Sequence, residues 1–438
     1  MQRFFRRLTG ISVIALGSVI SGLAQTPQTP ATTPAPAAKE KKVKDQGEYD
    51  LFTAVTKETD PAKKLALLNT WKEKYPDSDY KLDRLQFMLL TYQALNQPAK
   101  MIDTAKEILV MDPKDIQALY WISTLTPTLG NTSPDALDTG EKAANGLLVA
   151  EKPAAVSDDA WKTAKTQTDA IANSTLGWIA NARKNYDVAE TNFKKSLEIN
   201  PAAAQVSYWL GNVILSEKKP ERQSEALYDI ARAATYDGPG SLTPDGRKTI
   251  DAYLTKAYTT LHGDQSGLAE LKAQAKATAL PPPNFHIATA AEVAAAKDEE
   301  LKKTNPQLAM WLGIKGNLLG TDGQTYFDGT MKGAAVPKLK GWLVSAKPPL
   351  KSKELLVNME GKDANGANVT LKLVGSDGTP LALTGKPEVG VEIEFEGVPE
   401  SFNKEPLMVT FNVEKSKITG LKVDAVAPAH RPVHKKAS

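Results

Sequence analysis

The hydrophobic pattern divides the chain into two parts. From Glu48 to about Ala279, apolar residues recur every three or four positions, a period typical of amphipathic helices. After Pro337 the period changes to two, and short apolar runs alternate with turn-like segments, which is typical of strands. The pattern predicts an α+β multidomain chain in which a helical part precedes a small β part.

The helical part contains repeated landmarks. Pro76, Pro113 and Pro201 each follow an amphipathic segment that a proline would terminate. A Tyr-Trp dipeptide begins seven residues after Pro113, at Tyr120, and another begins seven residues after Pro201, at Tyr208. Two helices that start alike indicate a repeated helical unit.

One stretch carries a recognisable signature. Leu176-Gly177, Ala189, Phe193 and Pro201 follow one another in the order and spacing of the tetratricopeptide repeat, and the stretch resembles that family. The resemblance implies an α-solenoid of helix pairs, with units near residues 45–78, 82–115, 116–150, 170–203 and 204–237 and a last helix pair before residue 279.

The family resemblance also implies a binding surface. Repeats of this family commonly bind an extended peptide or a helix on a concave face lined by the first helix of each pair. On this register the groove residues are Gln117, Tyr120, Trp178, Asn181, Tyr208 and Asn212. The alternative for Trp178 is packing against a neighbouring unit. Asn212 matches an asparagine of the family's carboxylate clamp in placement, but the clamp's basic residues are absent, so capture of a C-terminal carboxylate is not expected.

The pattern of the β part predicts five or six short strands between residues 339 and 423. Ile393 and Phe395 alternate with Glu392, Glu394 and Glu396, which indicates one buried face and one wet face. So many short strands in about 85 residues favour a small closed antiparallel β-barrel. The strand layout resembles the OB-fold family of anticodon-binding-like domains found in exported bacterial proteins.

An OB-like barrel raises the alternative of oligosaccharide or single-stranded nucleic-acid binding. Residues 339–424 hold eleven Lys against twelve acidic residues and no Arg. A groove that binds single-stranded nucleic acid needs a row of positive charges and aromatic rings for base stacking. The aromatic residues are Trp342, Phe395, Phe402 and Phe411, and the second and fourth fall on the apolar side of their strands. Nucleic acid is therefore not the favoured partner, and a protein or peptide partner is expected instead.

The chain ends are predicted to lie outside the folded parts. Residues 1–24 have an arginine-rich start, an apolar run and small residues before position 25, the pattern of a signal peptide. This predicts an exported protein, periplasmic or secreted, with an uncleaved membrane anchor as the alternative. Loss of the three leader arginines takes the formal net charge from +3 to zero. We assign residues 25–46 to a disordered Pro/Thr/Ala/Lys linker, 47–279 to the solenoid, 280–336 to a helical connector, 337–424 to the barrel and 425–438 to a basic tail.

The sequence offers little for catalysis. It has no Cys and four His, and it lacks the glycine-rich motifs that cradle phosphates. His262 stands beside Gly263, where a helix C-terminal cap is expected rather than a ligand. The prediction is a scaffold that is not an enzyme and has no cofactor or metal, with a hydrolase of unrecognised carboxylates as the remote alternative.

Overall fold

The computed structural model describes residues 41–362 and 366–424. The chain divides after residue 290 into two compact units, and each is described by itself. The predicted leader, most of the predicted linker and the predicted tail lie outside the described residues. None of the helices within the described ranges is long and apolar enough to cross a membrane.

The described residues of the first unit form consecutive helices, ten of which pack as five pairs. The first three pairs are α1 (Gln46–Lys57) with α2 (Pro61–Lys74), α3 (Lys81–Ala94) with α4 (Pro98–Met111), and α5 (Ile116–Leu129) with α6 (Pro134–Leu148). The next two are α7 (Asp158–Ala182) with α8 (Tyr186–Ile199) and α9 (Ala204–Ser216) with α10 (Gln223–Thr235). The last two helices, α11 (Pro244–His262) and α12 (Leu268–Ala277), both pack against α10. The predicted solenoid of helix pairs is confirmed.

Proline and short polar residues set the helix ends. Helices α2, α4 and α8 end two residues before Pro76, Pro113 and Pro201, as the sequence predicts. Asp60 accepts hydrogen bonds from two backbone N–H groups at the start of α2, and the Ser133 hydroxyl accepts one at the start of α6. These local signals explain why the repeat boundaries are readable from the sequence.

Helix α7 is longer than a repeat helix needs to be. The predicted unit begins at residue 170, but the helix begins at Asp158, because Ser157 caps it and Ala164 and Thr168 are buried at helical spacing. Part of the chain between the third and fourth predicted units is therefore additional helix rather than loop.

Small residues bring paired helices close together. Gly177 of α7 lies against Phe193 of α8, and a Cβ atom at Gly177 would stand 2.6 Å from a ring carbon. Gly211 of α9 lies in the same way against α10, where a Cβ atom would meet the carbonyl oxygen of Ala226 at 2.8 Å. Both glycines are buried, so at these points the backbone of the first helix lies directly against the second helix of the pair.

A polar cluster ties α8 to α10 on their partly exposed side. The guanidinium of Arg222 contacts Glu190 at 2.7 Å and Glu225 at 2.5 Å, and Lys194 contacts the same two carboxylates at 2.8 and 2.6 Å. The hydrogen bond from Arg222 is the largest cause that lowers the pKa of Glu190 to about 2. Glu217 also contacts Arg222 and is contacted by Lys219 at 3.2 Å, so the cluster holds three positive and three negative groups.

A fully buried acid lies near this cluster. Asp229 of α10 has no exposed surface, and neither carboxylate oxygen has a hydrogen-bond partner. Burial raises the pKa of Asp229 well above its ordinary value, and nearby Glu225 raises it further, whereas Lys194 and Arg222 lower it. Because burial is the largest of these causes, the folded state favours the protonated acid.

The second unit holds a helical segment and a β-barrel. Helix α13 (Ala290–Thr304) has no buried residue, whereas α14 (Pro306–Leu319) buries Trp311, Ile314 and Leu318 in the barrel core. A short helix α15 (Gly323–Tyr326) and a π-turn (Phe327–Met331) lead into the first strand.

Five of the strands in the described part of the second unit close a barrel. In chain order the strands are β1 (Val336–Lys347), β2 (Glu354–Asn358), β3 (Val369–Val374), β4 (Lys386–Pro387), β5 (Glu392–Lys404), β6 (Leu407–Glu414), β7 (Ile418–Thr419) and β8 (Val423–Asp424). The order β1-β2-β3-β6-β5 returns to β1, with β7 added beside β5 and a separate pair of β4 with β8. The predicted closed barrel is confirmed, but β3 and β6 run parallel, so the barrel is mixed rather than purely antiparallel.

Strand β5 shows the predicted alternation. Ile393 and Phe395 are buried at 0% and 1% exposure, and the ring of Phe395 meets that of Phe411 edge to face. The glutamates that alternate with them lie on the opposite, wet face, where Glu392 contacts Lys340 at 2.9 Å and Glu394 contacts Lys338 at 3.7 Å.

The contact at Gly177 predicts that Gly177→Ala destabilises the fold, although the same substitution usually stabilises a helix. Alanine favours a helix interior over glycine by about 1 kcal/mol, but the methyl group of Gly177→Ala would strike Phe193 and cost about 1 to 3 kcal/mol. We expect net destabilisation in urea unfolding followed by circular dichroism. The control is Gly313→Ala in α14, where a Cβ atom would meet nothing within 4 Å and mild stabilisation is expected. Equal effects at the two sites would contradict the close-packing account.

The raised pKa of Asp229 predicts that Asp229→Asn increases the free energy of unfolding by an amount that depends on pH. Below the unfolded pKa the carboxyl is protonated in both states. As pH rises toward the folded pKa, the wild type loses about 1.4 kcal/mol of stability per pH unit because its unfolded state gives up the proton first. Asn cannot ionise, so the stability advantage of the variant should grow as pH rises above the unfolded pKa of about 4. Thermal unfolding at a series of pH values above that pKa measures it, and a pH-independent difference would refute the protonated state.

Candidate partner-binding groove

Trp178 lies in the seam between two helix pairs. It is a partly buried residue of α7 whose side chain packs against a core cluster containing Phe193 of α8 and Val206 and Leu210 of α9. The indole therefore does both things that the sequence left open: it contacts the neighbouring unit and keeps part of its surface exposed. A rigid ring held in this way suits an anchor for a partner.

Tyr208 occupies the next seam along. It is a partly buried residue of α9 that packs against the core formed by α10, α11 and α12. Tyr253 of α11 is 44% exposed, and its pKa is raised first by burial and then by Tyr208. The two tyrosines lie on the first helices of successive units, α9 and α11.

Amide side chains accompany these rings. The side-chain N–H of Asn212 donates to the carbonyl oxygen of Tyr208 at 2.6 Å, one turn earlier in α9, and the amide oxygen points away from that bond. Asn181, one turn after Trp178 in α7, is also partly exposed. Both carboxamides can offer hydrogen bonds to a peptide backbone at the edge of the rings.

Tyr120 differs from its counterpart Tyr208. It is only 2% exposed, its ring meets Trp121 edge to face at 5.1 Å, and burial raises the pKa of its hydroxyl. Helix α7 covers this end of α5, since the hydroxyl of Thr175 donates to the carbonyl oxygen of Ser123 at 2.8 Å. Two of the predicted groove residues lie on α5. Tyr120 offers almost no surface to a partner, whereas Gln117 is partly exposed.

Tyr120 is the only predicted groove residue that burial removes, and the others stay partly exposed: Gln117, Trp178, Asn181, Tyr208 and Asn212. The candidate groove consists of these residues with Tyr253 of α11 added, and most of them lie on α7, α9 and α11. The sequence-based prediction missed Tyr253 because α11 was assigned to a terminal cap. An aromatic residue at an exposed position of an otherwise polar helix surface was the available signal.

Two cavities lie elsewhere on the first unit. One of about 180 Å³ is bounded by α4, α5 and α6, and one of about 430 Å³ by α6, α7 and α8. Arg183 lines the larger cavity and is held by Glu141 and Asp138, each at 2.7 Å. Its guanidinium is thus already paired with carboxylates from α6, and no sequence pattern indicated either cavity.

A serine, a histidine and an aspartate meet at the end of α11. His262 Nδ1 lies 2.7 Å from the carbonyl oxygen of Ala288 and must donate to it, while Nε2 lies 3.0 Å from Ser266 Oγ. Asp264 accepts from the backbone N–H of Ser266 at 2.9 Å and also contacts the Ser266 hydroxyl. A catalytic triad needs the carboxylate on Nδ1, so this arrangement closes the corner around Gly263 rather than activating a nucleophile.

The barrel surface carries paired charges. Lys372 contacts Glu400 at 2.7 Å and Lys417 contacts Glu396 at 3.3 Å, in addition to the two pairs on β1 and β5. Phe411 is buried with Phe395, as the alternation predicts. Within residues 41–362 and 366–424, no group of three or more His, Asp or Glu side chains is placed to hold a metal ion.

Comparisons with known proteins add likenesses of low overall similarity. No protein-family profile and no curated protein matches the chain. Among solved structures, a thermophilic TPR protein of Thermus thermophilus is 13% identical with a TM-score of 0.28, over 48% of this chain and 95% of that one. The TPR domain of P58(IPK) is 16% identical with a TM-score of 0.24, over 65% of this chain and 72% of that one. At these scores the likenesses carry no argument, and the solenoid is established by its own helix packing.

Proposed function

We propose that the chain is a scaffold of the tetratricopeptide-repeat type that binds a protein partner along α7, α9 and α11. The observation that carries this is the row of incompletely buried rings, Trp178, Tyr208 and Tyr253, on successive first helices. Aromatic side chains held by packing lose little rotamer entropy when they bind, so they make effective anchors. Asn181 and Asn212 would add hydrogen bonds to an extended segment lying across the rings.

The proposal includes a location and the absence of catalysis. The arginine-rich start, the apolar run and the small residues before position 25 support export to the periplasm or medium. The arrangement at His262 supports a structural role for that histidine. A scaffold of this kind would act by holding a partner, with no cofactor or metal.

We infer that the barrel is OB-like, because five strands close with one parallel pair, β3 with β6. Its surface does not favour the alternative of nucleic-acid binding. Lysines on the strand faces contact glutamates, which works against a positive track, and Phe395 and Phe411 are inside, so two of the four aromatic rings are unavailable for stacking. The groove on the first unit is therefore the better-supported binding site.

The groove assignment predicts loss of a partner on truncating two anchors. Trp178→Ala with Tyr208→Ala should weaken binding of a partner captured from an envelope extract by at least about thirty-fold, which corresponds to about 2 kcal/mol. The affinity is measured with the purified partner. Circular dichroism checks that the fold is intact.

Tyr49→Ala provides the matched control. This tyrosine of α1 is 52% exposed and lies outside the groove, so its removal should leave the affinity unchanged. If the double variant binds as tightly as the wild type, or if Tyr49→Ala weakens binding equally, the groove is not the binding site.

Export predicts a defined mature N-terminus. Expression of the full chain in a bacterium with a signal peptidase should give a protein that starts at Gln25 in the periplasmic fraction. Mass spectrometry of the purified protein detects this. Replacing Ala24 and Gly22 by bulky residues should block cleavage, and an intact Met1 in a cytoplasmic fraction of the unaltered chain would refute export.

A further inference from the structure

The loop between β1 and β2 has an unusual surface. This loop, which we call the basic loop, runs from Lys347 to Lys353 with the sequence KPPLKSK. Leu350 at its tip is 52% exposed, and Pro348 and Pro349 beside it are exposed as well. A single exposed apolar residue is common on a soluble surface, so Leu350 is of interest only together with the charges around it.

The basic loop is held in place at its base. The backbone N–H of Lys353 donates to the carbonyl oxygen of Lys347 at 2.9 Å, which closes the loop. Ser352 is fully buried, its hydroxyl donates to the carbonyl oxygen of Pro348 at 2.7 Å, and its own carbonyl oxygen accepts from Leu383 at 2.9 Å. The exposure of Leu350 is therefore built into an anchored turn.

The charges of the basic loop lack counterparts. Lys347, Lys351 and Lys353 are all exposed, and none takes part in an ion pair within residues 41–362 and 366–424. By contrast, Lys340 and Lys372 on the strand faces of the same barrel contact glutamates within 3 Å. Three unpaired positive charges surround one exposed leucine.

We propose that the basic loop docks on an anionic lipid surface, with Leu350 entering the headgroup region and the three lysines contacting the anionic headgroups. A membrane interface accepts an apolar tip with a basic collar without needing a shaped pocket. A nucleic-acid strand would need aromatic rings for base stacking, and the basic loop has none. This inference is independent of the groove on the first unit.

The expected strength is modest. Each lysine near an anionic surface strengthens binding by about fivefold, so the three together contribute about a hundredfold. The contribution should fall as salt is raised, because exposed charges are screened within about a Debye length.

The absence of Cys allows a local test in the full chain. Leu350→Cys is labelled with a polarity-sensitive fluorophore, and vesicles of phosphatidylglycerol and phosphatidylcholine, or of phosphatidylcholine alone, are added. We expect a blue shift with the anionic vesicles only, reversed by high salt. Val149→Cys, at a position 78% exposed in the first unit, is labelled as the control and should not shift. Because each probe reports its own surroundings, vesicle contacts made elsewhere by the chain do not imitate the result.

Charge removal completes the test. With the label at position 350, Lys347→Gln, Lys351→Gln and Lys353→Gln together should weaken the vesicle titration about a hundredfold. Lys100→Gln, Lys142→Gln and Lys195→Gln remove the same charge from exposed or partly exposed positions of the solenoid and should change it little. No blue shift at position 350, an equal shift with neutral vesicles, or equal effects of the two triple variants would each overturn the proposal, the second by showing that the leucine acts without the lysines.

Discussion

The solenoid depends on the close approach of the two helices within a pair. At Gly177 the absence of a side chain lets the ring of Phe193 lie against the α7 backbone, and at Gly211 the α9 backbone lies against α10. A helix pair packed this tightly presents its remaining apolar side chains to the next pair, which must cover them. The core clusters accordingly cross from pair to pair, as where Leu210 of α9 joins Phe193 of α8.

This packing explains why the candidate groove is aromatic. Trp178 and Tyr208 pack into two seams between pairs while staying only partly buried. In the proposed groove, the same side chains would serve both packing and binding. Where the seam is covered more fully, the binding surface is lost: Tyr120 starts its helix in the same way as Tyr208, yet α7 lies over it.

The comparison of Tyr120 with Tyr208 shows what can and cannot be predicted from the sequence. Helix ends and the alternation around Phe395 are local, because caps, prolines and periodicity act over a few residues, and these predictions were confirmed. The parallel pairing of β3 with β6 and the burial of Tyr120 depend on distant segments. Nothing within a few residues of Tyr120 distinguishes it, so its exposure could not be predicted from local pattern.

Electrostatic pairing separates structural charges from available ones. In the first unit, Arg222 and Lys194 are occupied by carboxylates, and burial raises the pKa of the nearby acid Asp229 well above its ordinary value. On the barrel, cross-strand lysines are occupied in the same way by glutamates. The positive charge of a lysine without such a contact is not neutralised by a carboxylate, so it can attract an external anion. The local density of unpaired lysines, and not the net charge of the chain, therefore indicates where an anionic surface would bind. The basic loop is such a place in a chain whose overall charge would never suggest one.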